Sequence, residues 1–237
     1  METPVFDAPT VCLLALSALV AGLFLRGVAV ADAAPGSGGR SRRVLPAALG
    51  LALWLGLTAM LAAKGRLLNE NSMPPPFARI MVPGLILVFA AAFSGFGRRL
   101  ASRLSYAALI GFQAFRLPLE GLLWWFHRQG RLPVQMTFAG RNWDVLTGIS
   151  ALAVAALIRN GRLGTRAALI WNLAGLALLL NIMAVAVLSL PGPLNRFPGE
   201  PENTLVLHFP YVWIPALFVM AAFFGHLLVF RKLLMPK

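Results

Sequence analysis

The chain has 237 residues, 59% of them hydrophobic and only 12% charged, with a mean hydropathy of +0.76. A soluble domain carries about 25% charged residues, so this composition excludes an ordinary soluble protein and reads as a polytopic membrane protein. The excess of 21 basic over 8 acidic residues, +13 net, has no soluble face on which to form a nucleic-acid stripe; it is read as membrane topology and contact with membrane lipids, and nucleic acid is not expected as a partner.

A bilayer core takes about 20 apolar residues per helix, and seven segments meet or approach that length: 9–31, 45–63, 79–97, 103–127, 145–159, 167–190 and 209–230. The expected fold is all-α, a seven-helix bundle forming one membrane domain over 1–237. The leader of the first segment, Met1 to Pro9, is acidic where a signal peptide would be basic, so that helix is expected to be retained. Cys12, the single cysteine, lies within it and allows neither an intrachain disulfide nor a thiolate metal cluster.

The fourth segment is the most informative. Arg116 and Glu120 lie deep inside it, where an ionisable side chain is costly and marks a functional site by default. Their four-residue spacing makes them neighbours and predicts an intramembrane Arg–Glu pair. Extending that face gives Gln113, Arg116, Glu120, Trp124 and His127, a polar stripe running from mid-membrane to the outer surface and pointing into the bundle. Pro118 removes an amide donor between the charges and predicts a kink.

The outer loop that follows, Arg131 to Asp144, is dense in hydrogen-bonding groups. Asp144 or Asn142 is expected to cap the fifth helix; alternatively Arg141, Asn142 and Asp144 fold back over the bundle and close the mouth of the stripe, Gly140 allowing the tight turn. In the sixth segment Asn172 and Asn181, nine residues apart, project in opposite directions. Asn181 is assigned to the pocket and Asn172 to interhelical contact. His208 joins His127 at the outer surface and completes the candidate ligand-binding set. His208 and His226 are eighteen residues apart, about 27 Å along a helix, and cannot share a metal. No His-x-x-x-His or Cys-x-x-Cys spacing occurs, so no metal site or cofactor is expected. No Gly-x-Ser-x-Gly or His-Glu-x-x-His string occurs either, and no catalytic residue is assigned.

Orientation follows from the distribution of Lys and Arg. One set of alternate loops holds twelve basic residues, from Arg40 to Lys237, against the single acid Asp32; the other holds seven, from Lys64 to Arg196, against six acids, Glu2, Asp7, Glu70, Asp144, Glu200 and Glu202. The first set is placed inside, giving an outer N-terminus and a cytoplasmic C-terminus in a bacterial-type inner membrane. The third and seventh segments share a frame, Phe77-Ala-Arg-Ile-Met-Val-Pro83 against Phe209-Pro-Tyr-Val-Trp-Ile-Pro215. That frame suggests parallel three-helix repeats, 9–97 and 145–230, joined by the linker helix 103–127.

Seven spans, an outer N-terminus and this 3+1+3 plan resemble the topology of SWEET and PQ-loop transporters, although no Pro-Gln pair stands at the cytoplasmic end of the first or fifth span. The stretches Phe115-Arg-Leu-Pro-Leu-Glu120 and Met136-Thr-Phe-Ala-Gly-Arg-Asn-Trp-Asp144 resemble a group of bacterial multi-pass proteins to which no activity is attached.

The leading functional expectation is binding or transport of a small polar or anionic molecule through an outward-reached cavity. Arg116 would hold the ligand's charge, and Glu120 would hold Arg116 or carry a coupling proton. Two alternatives stay open: a membrane-embedded enzyme acting on a lipid-linked or outer-leaflet substrate, and a non-catalytic subunit that partners another membrane protein or a second copy of itself.

Overall fold

A computed structural model describes residues 7–33, 42–68, 75–197 and 201–235. Among them are nine α-helices: α1 (Ala8–Asp32), α2 (Val44–Ala63), α3 (Ala78–Phe93), α4 (Gly95–Arg103), α5 (Tyr106–Phe112), α6 (Arg116–Arg128), α7 (Asp144–Arg159), α8 (Thr165–Leu188) and α9 (Met220–Leu233). No strand occurs among the described residues. Four helical stretches are long and apolar enough to cross a membrane: α1, α2, α8 and Ile214–Leu233; α3 and α4 make a fifth if that bent pair is taken as one span.

The expected third segment breaks at Ser94, where α3 and α4 meet at 63°. Ser94 Oγ accepts from the amides of Phe96 and Gly97 at 3.1 and 3.4 Å and so caps α4. A side chain at Gly97 would collide with the carbonyls of Ala91 and Ala92, so only glycine permits the bend. Arg231 donates to the carbonyls of Ala92 and Ser94 and closes the break from α9.

The expected fourth segment is also divided. α5 passes through a 3-10 turn, Gln113–Phe115, into α6. The discontinuity lies just before Pro118 because a proline there withholds its amide from the carbonyl of Ala114 and crowds it. The last segment starts at Ile214 rather than 209 and opens with a π-helical turn, Ile214–Val219, that contains Pro215. α7 has 16 residues, one more than the expected 145–159, about 24 Å at 1.5 Å per residue.

α9 is the core helix. Every residue from Ala222 to Val229 is buried, as expected of a helix that is apolar all round. It packs against α3, α4, α5 and α8, while α7 lies across α5 and α6. α3 and α8 both line α9 yet scarcely meet each other. α2 stands at the edge, held by two tryptophans: Trp54 Nε1 donates to Ala216 O at 2.8 Å, in the π-turn, and Trp213 Nε1 to Leu55 O at 3.2 Å. The outer faces of α2, α3, α7 and α8 expose large aliphatic residues, among them Leu53 at 74% and Ile170 at 68%. A soluble protein does not present such a surface, and a bilayer accommodates it.

Polar contacts concentrate at the two ends. At one end Asp7 caps α1 through Thr10 N at 3.2 Å and accepts from Gln129 and Arg131, each at 3.0 Å. Burial on its own would raise the carboxyl of Asp7; the hydrogen bonds from Thr10 and Gln129 and the charge of Arg131 outweigh it and hold the group below its ordinary value. At the other end Asp32 meets Arg43 at 2.6 Å and Arg99 at 3.5 Å, and Lys232 donates to Ala101 O at 2.9 Å. Of the residues counted for orientation, Glu2, Arg40, Glu70, Glu200 and Lys237 lie outside the described residues.

Candidate functional site

The fold gathers an almost fully buried polar network where α6, α7, α8 and α9 converge. Arg116, at the first position of α6, is 1% exposed. Its Nε donates to Asp144 Oδ2 at 2.8 Å and its Nη2 to Asp144 Oδ1, a fork-to-fork pair between α6 and α7. Its Nη1 donates to His226 Nε2 at 3.0 Å, and His226 Nδ1 then donates to Asn172 Oδ1 at 2.8 Å. Asn172 Nδ2 returns to the carbonyl of His226 at 3.2 Å, locking α8 to α9. Glycines make this approach feasible: a Cβ on Gly175 would lie 2.8 Å from the His226 ring, and one on Gly148 would press into the backbone of Leu117.

The expected Arg116–Glu120 pair is therefore absent. The 3-10 turn and the start of α6 aim Arg116 across to α7, where Asp144 offers two oxygens, and a tertiary partner with bidentate geometry outcompetes a helical neighbour. Glu120, 2% exposed, instead accepts from the amide of Asn142 at 2.8 and 2.7 Å. Among the described residues no Lys, Arg or His nitrogen lies within ion-pair distance of it.

Asn142 is held by the loop. Its Nδ2 also reaches Met136 O at 3.1 Å, and its Oδ1 accepts the Asp144 amide at 3.1 Å. Asn142, rather than Asp144, thus satisfies the start of α7, because the Asp144 carboxylate is committed to Arg116. The loop is tied to itself by Gly140 N and Asn142 N donating to Thr137 O and by Arg141 N donating to Gln135 O. Gly140 serves it by close approach, since a Cβ there would strike Val134 O.

Beside this network lies a cavity of about 390 Å³, within the size range of small-molecule sites. It occupies the gap between α3 and α8, with α6 and the π-turn behind it and the loops around Pro76, Met136 and Leu190 above. Aliphatic, aromatic and proline side chains form nearly all its wall. Its polar liners are Arg116, Glu120, Asn142, Asp144 and Asn203. Asn203 is fully buried and its Oδ1 has no partner.

Four of the ten sequence-derived candidates, Arg116, Glu120, Asn142 and Asp144, therefore meet at one wall of the cavity. The other six do not line it. Gln113 is buried but turned to α9, donating to Ala222 O at 2.9 Å. Trp124 packs on His127 and Phe138, and His127 is bonded to Leu132 O at 3.0 Å. Arg141 is exposed over the Phe197 ring, and Asn181 holds the carbonyl of Arg141 at 2.8 Å, so Asn181 fastens the loop rather than facing the pocket. His208 is exposed and bonded to Thr204 O at 2.9 Å. Asn172 makes the interhelical contact expected of it, whereas Asn181 does not enter the pocket. His226 and Asn203 enter the site unannounced; the one sequence signal for the first was a small residue on the helix facing it, Gly175.

Residues 76–234 match the model of a family described as Domain of unknown function (DUF8737). The chain belongs to that family. The matched region holds the entire polar network and all but two of the residues lining the cavity, Leu67 and Pro75, and leaves out α1 and α2. No curated protein and no solved structure matches the chain.

Proposed function

We propose that this family member is a seven-span inner-membrane protein, with an outer N-terminus and a cytoplasmic C-terminus, that binds an amphiphile entering from the outer leaflet between α3 and α8. The observation that carries this reading is the apolar wall of the cavity, which faces a gap between two helices and ends on a small polar cluster. A small anionic ligand fits less well, because each of the three Arg116 nitrogens is already engaged inside the protein. The two polar ends support the orientation, Asp32, Arg43, Arg99, Arg231 and Lys232 lying at the end assigned to the cytoplasm. The parallel repeat stays part of the proposal on its sequence frame, with Pro83 inside α3 and Pro215 in the π-turn as its corresponding positions.

The test is occupancy. Native mass spectrometry of the protein released from mild detergent, with dodecanol as probe, should show saturable binding that Val187→Phe, which fills the cavity from α8, abolishes without unfolding the protein. Equal binding by the variant would sink the assignment. For topology, a cysteine at Phe138 should react with an impermeant thiol reagent on intact cells while one at Arg98 does not.

A second reading is an enzyme acting on a lipid-linked substrate, favoured by the convergence of Glu120, Asp144 and Arg116 at the cavity wall. It requires Glu120→Gln to abolish turnover of such a substrate while leaving its binding intact.

A further inference from the structure

The hydrogen-bonding capacity left over at the cavity wall specifies the headgroup. Each polar liner divides into what it spends inside the protein and what it leaves for a guest. Arg116 spends Nε, Nη1 and Nη2 on Asp144 and His226. Asp144 spends both oxygens on Arg116. The Asn142 amide is divided between Glu120 and Met136 O, and its carbonyl goes to the Asp144 amide. The Asn203 amide faces Ala186 O at 3.4 Å and Met136 Sδ at 3.8 Å.

Apart from one N–H on each Nη of Arg116, what remains is acceptors: the carboxyl oxygens of Glu120, which can take about four hydrogen bonds and receive them from one amide nitrogen, and Asn203 Oδ1, which receives none. The charges lean the same way. Arg116 and Asp144 pair in a bidentate contact, and among the described residues no cation lies within ion-pair distance of Glu120. A buried carboxylate without an ion-pair partner is strongly disfavoured and takes up a proton or a cation; a cationic donor brought by a guest meets that need, next to a wall that otherwise welcomes hydrocarbon.

Resting on the amphiphile reading above, the geometry points to a guest that carries a primary ammonium group on an alkyl tail, with the ammonium against Glu120 and Asn203 and the tail between α3 and α8. Two sources carry that chemistry, a free long-chain amine and an ethanolamine phospholipid. The Glu120 carboxylate recognises both through the same ammonium.

The experiment compares four probes on the purified full-length protein by native mass spectrometry: dodecylamine, dodecanol, dodecanoate and lysophosphatidylethanolamine. Dodecylamine should bind on the order of tenfold more tightly than dodecanol, the value of one charge-assisted hydrogen bond, and dodecanoate most weakly. In Glu120→Gln the preference for the amine over the alcohol should disappear. Lysophosphatidylethanolamine binding above dodecanol identifies the lipid as a source, and its failure beside a tight amine identifies the free amine.

Dodecanol bound as tightly as dodecylamine, or dodecanoate preferred, overturns the ammonium assignment and leaves the amphiphile cavity standing. Failure of all four probes overturns the cavity reading itself. If Glu120→Gln does not fold, the probe series on the unmodified protein still decides the assignment.

Discussion

Replacing Asp144 by Asn tests the reassigned ion pair most directly. Arg116 and Asp144 are 1% and 5% exposed, and their fork-to-fork contact is the main compensation for a guanidinium placed among α6, α7, α8 and α9. The amide keeps the shape of the carboxylate but can accept only one of the two bonds and carries no charge, so Arg116 becomes a buried cation without a counter-ion. Breaking a buried pair from one side costs about 3–5 kcal/mol, roughly two to three and a half powers of ten in the folding equilibrium.

Reversible unfolding in mixed micelles of mild and denaturing detergent, followed by tryptophan fluorescence, resolves a change of that size. Glu120→Gln is the matched control: if Glu120 were the partner of Arg116 it would cost as much, whereas the geometry assigns it less than about 1 kcal/mol, because no ion pair is lost. The paired change Arg116→Met with Asp144→Leu should recover most of the loss, since apolar replacement of a whole buried pair is often close to neutral. An Asp144→Asn protein within about 1 kcal/mol of the unmodified one, the range of exposed pairs, would refute the argument.

Three further outcomes follow from local geometry. Gly148→Ala places a methyl group against the Leu117 backbone and should destabilise by about 1–3 kcal/mol in the same unfolding assay. Trp54→Phe removes the bond to Ala216 O and should cost about 1–2 kcal/mol, with faster proteolysis between α1 and α2 as the local readout. Asp7 is held below its ordinary value of 3.8, so its carboxylate stabilises the fold fully above that pH and loses the contribution as pH falls towards the depressed folded value. The stability difference between the unmodified protein and Asp7→Asn should accordingly be largest near neutrality and close below pH 4; a difference that widens on acidification would contradict the assigned contacts.

Hydrophobic periodicity and charge placement were enough to locate the helices because in a membrane protein nearly every helix is an apolar run bounded by Arg, Pro or Asn. α7 and α8 begin within two residues of their expected starts, at Asp144 and Thr165. The bend at Ser94 was not legible because the helical apolar pattern continues through Phe96; only the Ser-Gly-Phe-Gly string marked it. The π-turn at Pro215 carried no pattern of its own.

At the site, burial cost singled out Arg116 and Glu120 correctly as interior residues, yet spacing along one helix named the wrong partner. A helical neighbour is visible in sequence, whereas Asp144, 28 positions away, becomes the better acceptor only once α7 is docked. The same limit misplaced Asn181: helical phase sets it on the face away from Asn172 but does not say whether that face looks into the cavity. His226 was passed over because a lone histidine in an apolar run gives no sign of the Asn172 waiting on another helix.

α7 has 16 residues against 24 in α8. In the proposed seven-span arrangement its length of about 24 Å falls short of a hydrocarbon layer of about 30 Å. A short span is accommodated by local thinning of the bilayer, at fractions of a kcal/mol per Å. Because α7 begins at Asp144, thinning on that flank draws the outer headgroup plane down towards the level of Glu120 and Asn142. The protein would then deform the membrane where its polar cluster lies, shortening the distance a lipid headgroup travels to reach it, and its occupancy should rise in bilayers of shorter acyl chains.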